Sequence, residues 1–82
     1  MRVTIRFTGR YKNLTGLESM VMEIKNGDTV WHLIEALVEK HPALVKDKKH
    51  MIIIRNGNYI DRETKIKNND EITIIPPVVS GG

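Results

Sequence analysis

The chain has 82 residues and a formal net charge of +3, with 13 Lys and Arg against 10 Asp and Glu. That length sets the expectation of one domain, near the lower limit of what buries a self-sufficient core. With no cysteine, the chain supplies no disulfide, thiolate metal site, iron–sulfur cluster or cysteine nucleophile, and it suits a reducing cytoplasm.

From Arg2 to Thr8 polar and apolar residues alternate, with Val3, Ile5 and Phe7 on one side, which predicts a half-buried strand. Gly9 to Leu17 mixes glycine, lysine, asparagine and threonine and is expected to be an irregular connection. It lacks the G-x-x-x-x-G-K-[ST] pattern, so no nucleotide site is assigned there. Met20, Met22 and Ile24 then recur at period two within Glu18 to Lys25, a second strand that ends at the Asn26-Gly27 turn. Asp28 or Thr29 can cap the helix that follows. In it Val30, Leu33, Ile34, Leu37 and Val38 fall at i, i+3, i+4, i+7 and i+8 and make one apolar stripe. Trp31 borders that stripe as a packing residue. Pro42 disfavours helical geometry in the residue before it, so the helix is expected to end by His41, with Ala43-Leu44-Val45 as a short closing turn.

Met51 to Ile54 is an unbroken apolar run, which predicts a strand covered on both faces. Asn56-Gly57 signals a tight turn into a short returning strand, Asn58-Tyr59-Ile60. Asp61 to Asn69 is polar apart from Ile66, which is expected to reach the core. Asn68-Asn69-Asp70 then turns the chain into a final strand, Glu71 to Ile75. The order is strand, strand, helix, strand, short strand, strand. A single helix covers only one face of such a sheet, so the expected class is α+β, a mixed four- to five-stranded sheet wrapped on one main helix with its other face wet.

The end of the chain is the candidate functional element. Pro76 and Pro77 lack the N–H a ladder needs and have φ fixed near −65°, so strand pairing is expected to stop there. The expectation is a folded body over residues 1–75 and an extended, flexible tail over 76–82. At roughly 3.3 to 3.6 Å per residue, Pro76 to Gly82 spans about 23 to 25 Å, enough to enter another protein's active site. Gly81 and Gly82 carry no β-carbon to obstruct a narrow channel. Ile75 is expected on the wet face, and with Pro76, Pro77, Val78 and Val79 it forms an apolar lead-in to the end, the kind of patch that marks a docking surface.

Other chemistries find little support. Lys46, Lys48 and Lys49 are the one tight basic group and Asp47 interrupts them. With one Trp, two Tyr and one Phe there is no evident stacking platform, so no nucleic-acid partner is expected. No apolar run approaches the roughly 18 residues that cross a bilayer, and no membrane partner is expected. The sequon Asn13-Leu14-Thr15 would not meet the secretory machinery in a cytoplasmic protein. The spacing of His32, His41 and His50 fits no usual metal motif, and no acid and base pair at a spacing that suggests hydrolysis.

Asn56-Gly57, Asp70-Glu71, Ile74-Ile75-Pro76-Pro77 and the terminal Ser80-Gly81-Gly82 resemble the MoaD family, the small subunits of molybdopterin synthase, and the related ThiS sulfur carriers. The likeness extends through Val3-Thr4-Ile5-Arg6-Phe7 and the helix from Val30 to Lys40. It implies a β-grasp, ubiquitin-like fold with the first and last strands as central neighbours. It also implies that an E1-like adenylating enzyme joins the Gly82 carboxylate to AMP and that a sulfur donor then converts it to a thiocarboxylate. The tail from Pro76 through Pro77, Val78, Val79, Ser80 and Gly81 would enter a partner such as the molybdopterin synthase large subunit, and Phe7, Tyr59 and Ile75 would add apolar contacts. ATP and magnesium belong to the activating partner, and this chain binds no cofactor and is not catalytic alone. The resemblance leaves open conjugation to lysines of target proteins as a ubiquitin-like modifier, and carriage of sulfur for thiamin or tRNA thiolation. An RNA-binding β-grasp module is the alternative of a different class. One departure is the Val78-Val79 pair, where members of the family usually place a single residue.

Overall fold

The computed structural model describes residues 1–78; Val79, Ser80, Gly81 and Gly82 lie outside the described residues. Strand β1 (Arg2–Phe7) follows its alternation, burying Val3, Ile5 and Phe7 and turning Arg2, Thr4 and Arg6 outward. Strand β2 (Ser19–Glu23) pairs antiparallel with it, Val3 opposite Met22 and Ile5 opposite Met20.

The segment between these strands differs from the expected irregular connection. Arg10–Thr15 forms a short helix, α1, closed by Gly16 in the left-handed conformation with its N–H on the Lys12 carbonyl at 2.8 Å. The helix buries one side chain, Tyr11, and so leaves no apolar period in the sequence. What holds it is tertiary: the Tyr11 hydroxyl donates to Asp47 at 2.9 Å, and Arg10 pairs with the same carboxylate.

Helix α2 (Val30–Lys40) presents Val30, Leu33, Ile34 and Leu37 to the sheet. Thr29 is its N-cap, and the His32 ring nitrogen Nδ1 accepts the Thr29 backbone N–H at 3.0 Å. The next two N–H groups, of Val30 and Trp31, have no partner within the helix and donate instead to the carbonyls of Thr64 and Arg62, at 2.9 and 3.0 Å. The polar segment from Asp61 to Asn69 therefore serves as the helix's external cap, and Ile66 pins it to the core as expected. A 3-10 helix, Pro42–Asp47, follows α2 and buries Leu44.

Strands β3 (Ile52–Arg55), β4 (Asn58–Tyr59) and β5 (Glu71–Ile75) complete a five-stranded sheet of order β2-β1-β5-β3-β4. The β1–β5 pair at its centre is parallel, with Ile5 opposite Ile72 and Phe7 opposite Ile74; the other pairs are antiparallel. The core lies between α2 and the inner face of the sheet, where Val3, Ile5, Phe7, Ile53, Ile72 and Ile74 meet the helix stripe. Each such side chain contributes about 1.5–3 kcal/mol by leaving water. The expectation that β3 is covered on both faces is not met. Met51 and Ile53 are buried, whereas Ile52 and Ile54 are half-buried on the outer face, which no helix among the described residues covers.

Candidate functional site

β5 sets up the site through its own alternation. Ile72 and Ile74 point into the core, and Thr73 and Ile75 point outward as expected. Pairing ends at Ile75, where the prolines remove the next donors. Pro76 and Pro77 are half-exposed, and Val78 stands 91% exposed.

The register of the ladders then decides which side chains join Ile75. Ile52 lies opposite Ile75, Ile54 opposite Thr73, and Tyr59 opposite Ile54. Directly opposed residues share a face, so Ile75, Ile52, Ile54 and Tyr59 make one apolar surface at the root of the tail. Tyr59 is 78% exposed and available for contact. The other half of the same face is charged, with Arg2 paired to Glu23 and Arg6 to Glu71. Those pairs are well exposed and add little stability, and Val21, exposed opposite Thr4, stands between them as a separate apolar residue.

Of the three residues expected to contact a partner, Ile75 and Tyr59 lie on this surface. Phe7 does not. It is 2% exposed, its ring meeting His41 edge-on at a centroid distance of 6.2 Å, so its contribution is to packing and the surface role is corrected. Ile52 and Ile54 lie on this surface instead. The sequence carried a signal for them, since a single main helix leaves alternate residues of any central strand uncovered. Val79, Ser80, Gly81 and Gly82 were also assigned to the site and lie outside the described residues.

The other elements have structural assignments. Trp31 packs at the edge of the core with the Lys48 ammonium and the Arg62 guanidinium 5.5 and 5.7 Å from its ring centroid. Asp47, which interrupts the lysine group in sequence, joins α1 to the 3-10 helix through Arg10 and Tyr11. Burial first, and then the Asp47 carboxylate, push the Tyr11 phenol well above its ordinary value. Among the described residues, no group of three or more His, Cys, Asp and Glu side chains is placed to hold a metal ion, and no helix is long and apolar enough to cross a membrane.

A mixed sheet wrapped on one main helix, with an apolar outer surface beside the departing C-terminal tail, defines a β-grasp, ubiquitin-like domain. The crystal structure of SAMP1 from Haloferax volcanii shares this fold over the full length of both chains, with a TM-score of 0.85 and 26% identity. The chain belongs to the ThiS family, whose model matches residues 5–82. A molybdopterin synthase sulfur carrier subunit of Dictyostelium discoideum is 34% identical over 76 residues, covering 89% of this chain and 87% of its own length. A protein–protein complex of subunits 1 and 2 of the molybdopterin-converting factor from Helicobacter pylori contains a chain 27% identical to this one, with a TM-score of 0.70 over 99% of this chain and 100% of that one.

Proposed function

We propose that this chain is a sulfur carrier acting in molybdopterin biosynthesis, with the Gly82 carboxylate as its reactive group. The observation that carries the reading is that the family match runs through residue 82, so it includes the tail as well as the body. A carboxylate is a poor acyl donor until one oxygen becomes a good leaving group. In the proposed first step a Gly82 carboxylate oxygen attacks the α-phosphorus of ATP on an E1-like enzyme, pyrophosphate leaves, and an acyl-adenylate forms. A donor that supplies sulfur at the sulfide level, as HS⁻, then attacks the acyl carbon, the acyl–phosphate bond breaks, AMP departs, and a thiocarboxylate remains with loss of one proton. No side chain of the carrier takes part, so the chain serves as a protein-bound substrate. Pro76, Pro77, Val78, Val79, Ser80 and Gly81 lead the reactive end into the partner, while Ile75, Ile52, Ile54 and Tyr59 give the partner a face to close upon.

The likeness to SAMP1, a small archaeal modifier protein, over its whole length favours a second reading, in which the same adenylate is passed to a lysine amine of a target protein. The intact mass of the natural gene product separates the two. Exchange of one oxygen for sulfur makes the chain about 16 Da heavier, whereas conjugation yields high-mass adducts with a glycine remnant on lysine. Deleting Gly82, or adding one residue beyond it, is expected to abolish adenylation. Undiminished adenylation of either variant rules out both readings.

A further inference from the structure

Thr8 and Gly9 form the corner between β1 and α1, and this corner lies against the first proline of the tail. The Thr8 hydroxyl donates to the Ile74 carbonyl at 3.0 Å, just past the last parallel register pair, Phe7 with Ile74. Gly9 adopts φ 53° and ψ −138°, a region open to glycine and closed to residues with an L β-carbon. A β-carbon at Gly9 would stand 3.3 Å from Pro76 Cγ and 3.6 Å from Cδ. The proline ring thus occupies the space that a side chain at residue 9 would take.

The corner itself is held from behind. The N–H groups of Tyr11 and Lys12 donate to the carbonyls of Thr8 and Gly9, each at 3.1 Å. Tyr11 is fully buried and bonded to Asp47, which also accepts Arg10. Pro76, with its own φ fixed by its ring, therefore leaves the sheet against an anchored wall, and the carbonyl two residues before it is tied to the same corner.

We propose that Thr8 and Gly9 are positioning residues for the tail: by seating the Ile74 carbonyl and the Pro76 ring, they set the direction in which the chain leaves β5 and so where its end is delivered. The functional consequence rests on the tail being the reactive end, whereas the geometric claim can be tested without that reading.

Val78 is the first residue past the prolines with an amide N–H, and its residual dipolar coupling in the full-length, ¹⁵N-labelled protein reports the tail's direction relative to the body. In the natural sequence the Val78 coupling is expected to fit the alignment tensor of β1 to β5. In Thr8→Val and Gly9→Ala it is expected to leave that tensor or collapse toward zero while the couplings of the strands persist. Gly9→Ala should also perturb it less in a Pro76→Ala background, where the ring atoms that meet the new methyl are gone, a coupling that backbone strain at residue 9 alone would not produce. If Gly9→Ala does not fold, Thr8→Val, close in shape and lacking only the hydroxyl, decides the matter. A Val78 coupling in the natural protein that departs from the value the body's tensor requires, or one unchanged in Thr8→Val, overturns the proposal. In adenylation by the activating enzyme of the same organism, kcat for Thr8→Val is expected to fall about tenfold with KM little changed, because the apolar docking face is untouched and only placement of the acid is lost. If the natural chain is not adenylated at all, the proposed function fails, and the dipolar couplings still decide the positioning role.

Discussion

Ile52 and Ile75 face each other across the β3–β5 ladder, the first residue of one strand against the last residue of the other. Both are half-buried on a face that no helix covers. Opposed β-branched side chains stabilise a strand pair by roughly 0.2–1 kcal/mol. The placement matters more than that contribution, because it starts an apolar surface at the residue where the tail departs. Under the proposed function, a partner closing on this surface would meet Pro76 at its edge, which would couple docking to delivery of the chain end.

Tyr59 and Phe7 separate surface from core. Tyr59→Ala removes an exposed ring and is expected to change unfolding free energy by less than about 0.5 kcal/mol. The same change should weaken association with the activating partner about tenfold or more, as measured by calorimetry. Phe7→Ala should instead cost about 3–5 kcal/mol in urea unfolding. A Phe7→Ala protein as stable as the natural one would contradict the placement of that ring in the core.

Tyr11 makes stability depend on alkaline pH. Its folded phenol is raised above the ordinary value by burial and by Asp47, so between about pH 10 and the folded value the unfolded chain loses a proton that the folded one keeps. The contribution is intact below the unfolded value and is lost as pH rises toward the folded one. Stability in that window should fall by up to about 1.4 kcal/mol per pH unit from this group. Urea titrations of Tyr11→Phe and the natural chain from pH 9 upward test this, and parallel curves would exclude it. At neutral pH, Tyr11→Phe should cost about 1.5–3 kcal/mol for the lost bond to the Asp47 carboxylate.

Arg62 ties the helix cap to the turn that leads into β3. Its Nη2 donates to the carbonyls of Lys48 and Met51 at 3.2 and 3.0 Å, and its own carbonyl accepts the Trp31 N–H. Arg62→Met keeps much of the bulk and removes both side-chain bonds, leaving two part-buried acceptors. The expected cost is about 1–3 kcal/mol, read by urea unfolding followed through the fluorescence of Trp31. An unchanged midpoint would show that water replaces the guanidinium without penalty.

Val78 sets the reach of the tail. Deleting it leaves one residue between Pro77 and Ser80 and shortens the greatest reach of residues 76–82 by about 3.3 Å. If the natural partner is matched to the longer tail, sulfur transfer to its acceptor should fall about 10- to 100-fold while binding through the Ile52, Ile54 and Tyr59 face is retained. Single-turnover transfer and calorimetry read the two quantities separately.

The strands, the main helix and the end of β5 were legible because each is written in a short-range signal. Alternation in Arg2–Phe7 and Glu71–Ile75, the stripe from Val30 to Leu37, and two prolines that cannot donate depend only on near neighbours in the chain. The chemistry proposed for the tail rests on the same kind of short-range signal, a diglycine end that carries no side chain. Helix α1 was not legible, because Tyr11 is its one buried side chain and the Asp47 that holds Tyr11 and Arg10 lies 36 residues beyond Tyr11. Nor was the capping role of the Asp61–Asn69 segment, whose carbonyls meet the orphan N–H groups of α2 only once the chain has closed. Ile52 and Ile54 read as interior and Phe7 as divided between core and contact surface, because apolar character records a preference for leaving water without recording which face has a neighbour to cover it. That assignment belongs to strand order and register, which arise from contacts between residues distant in sequence, and it is what places the apolar outer face beside Pro76.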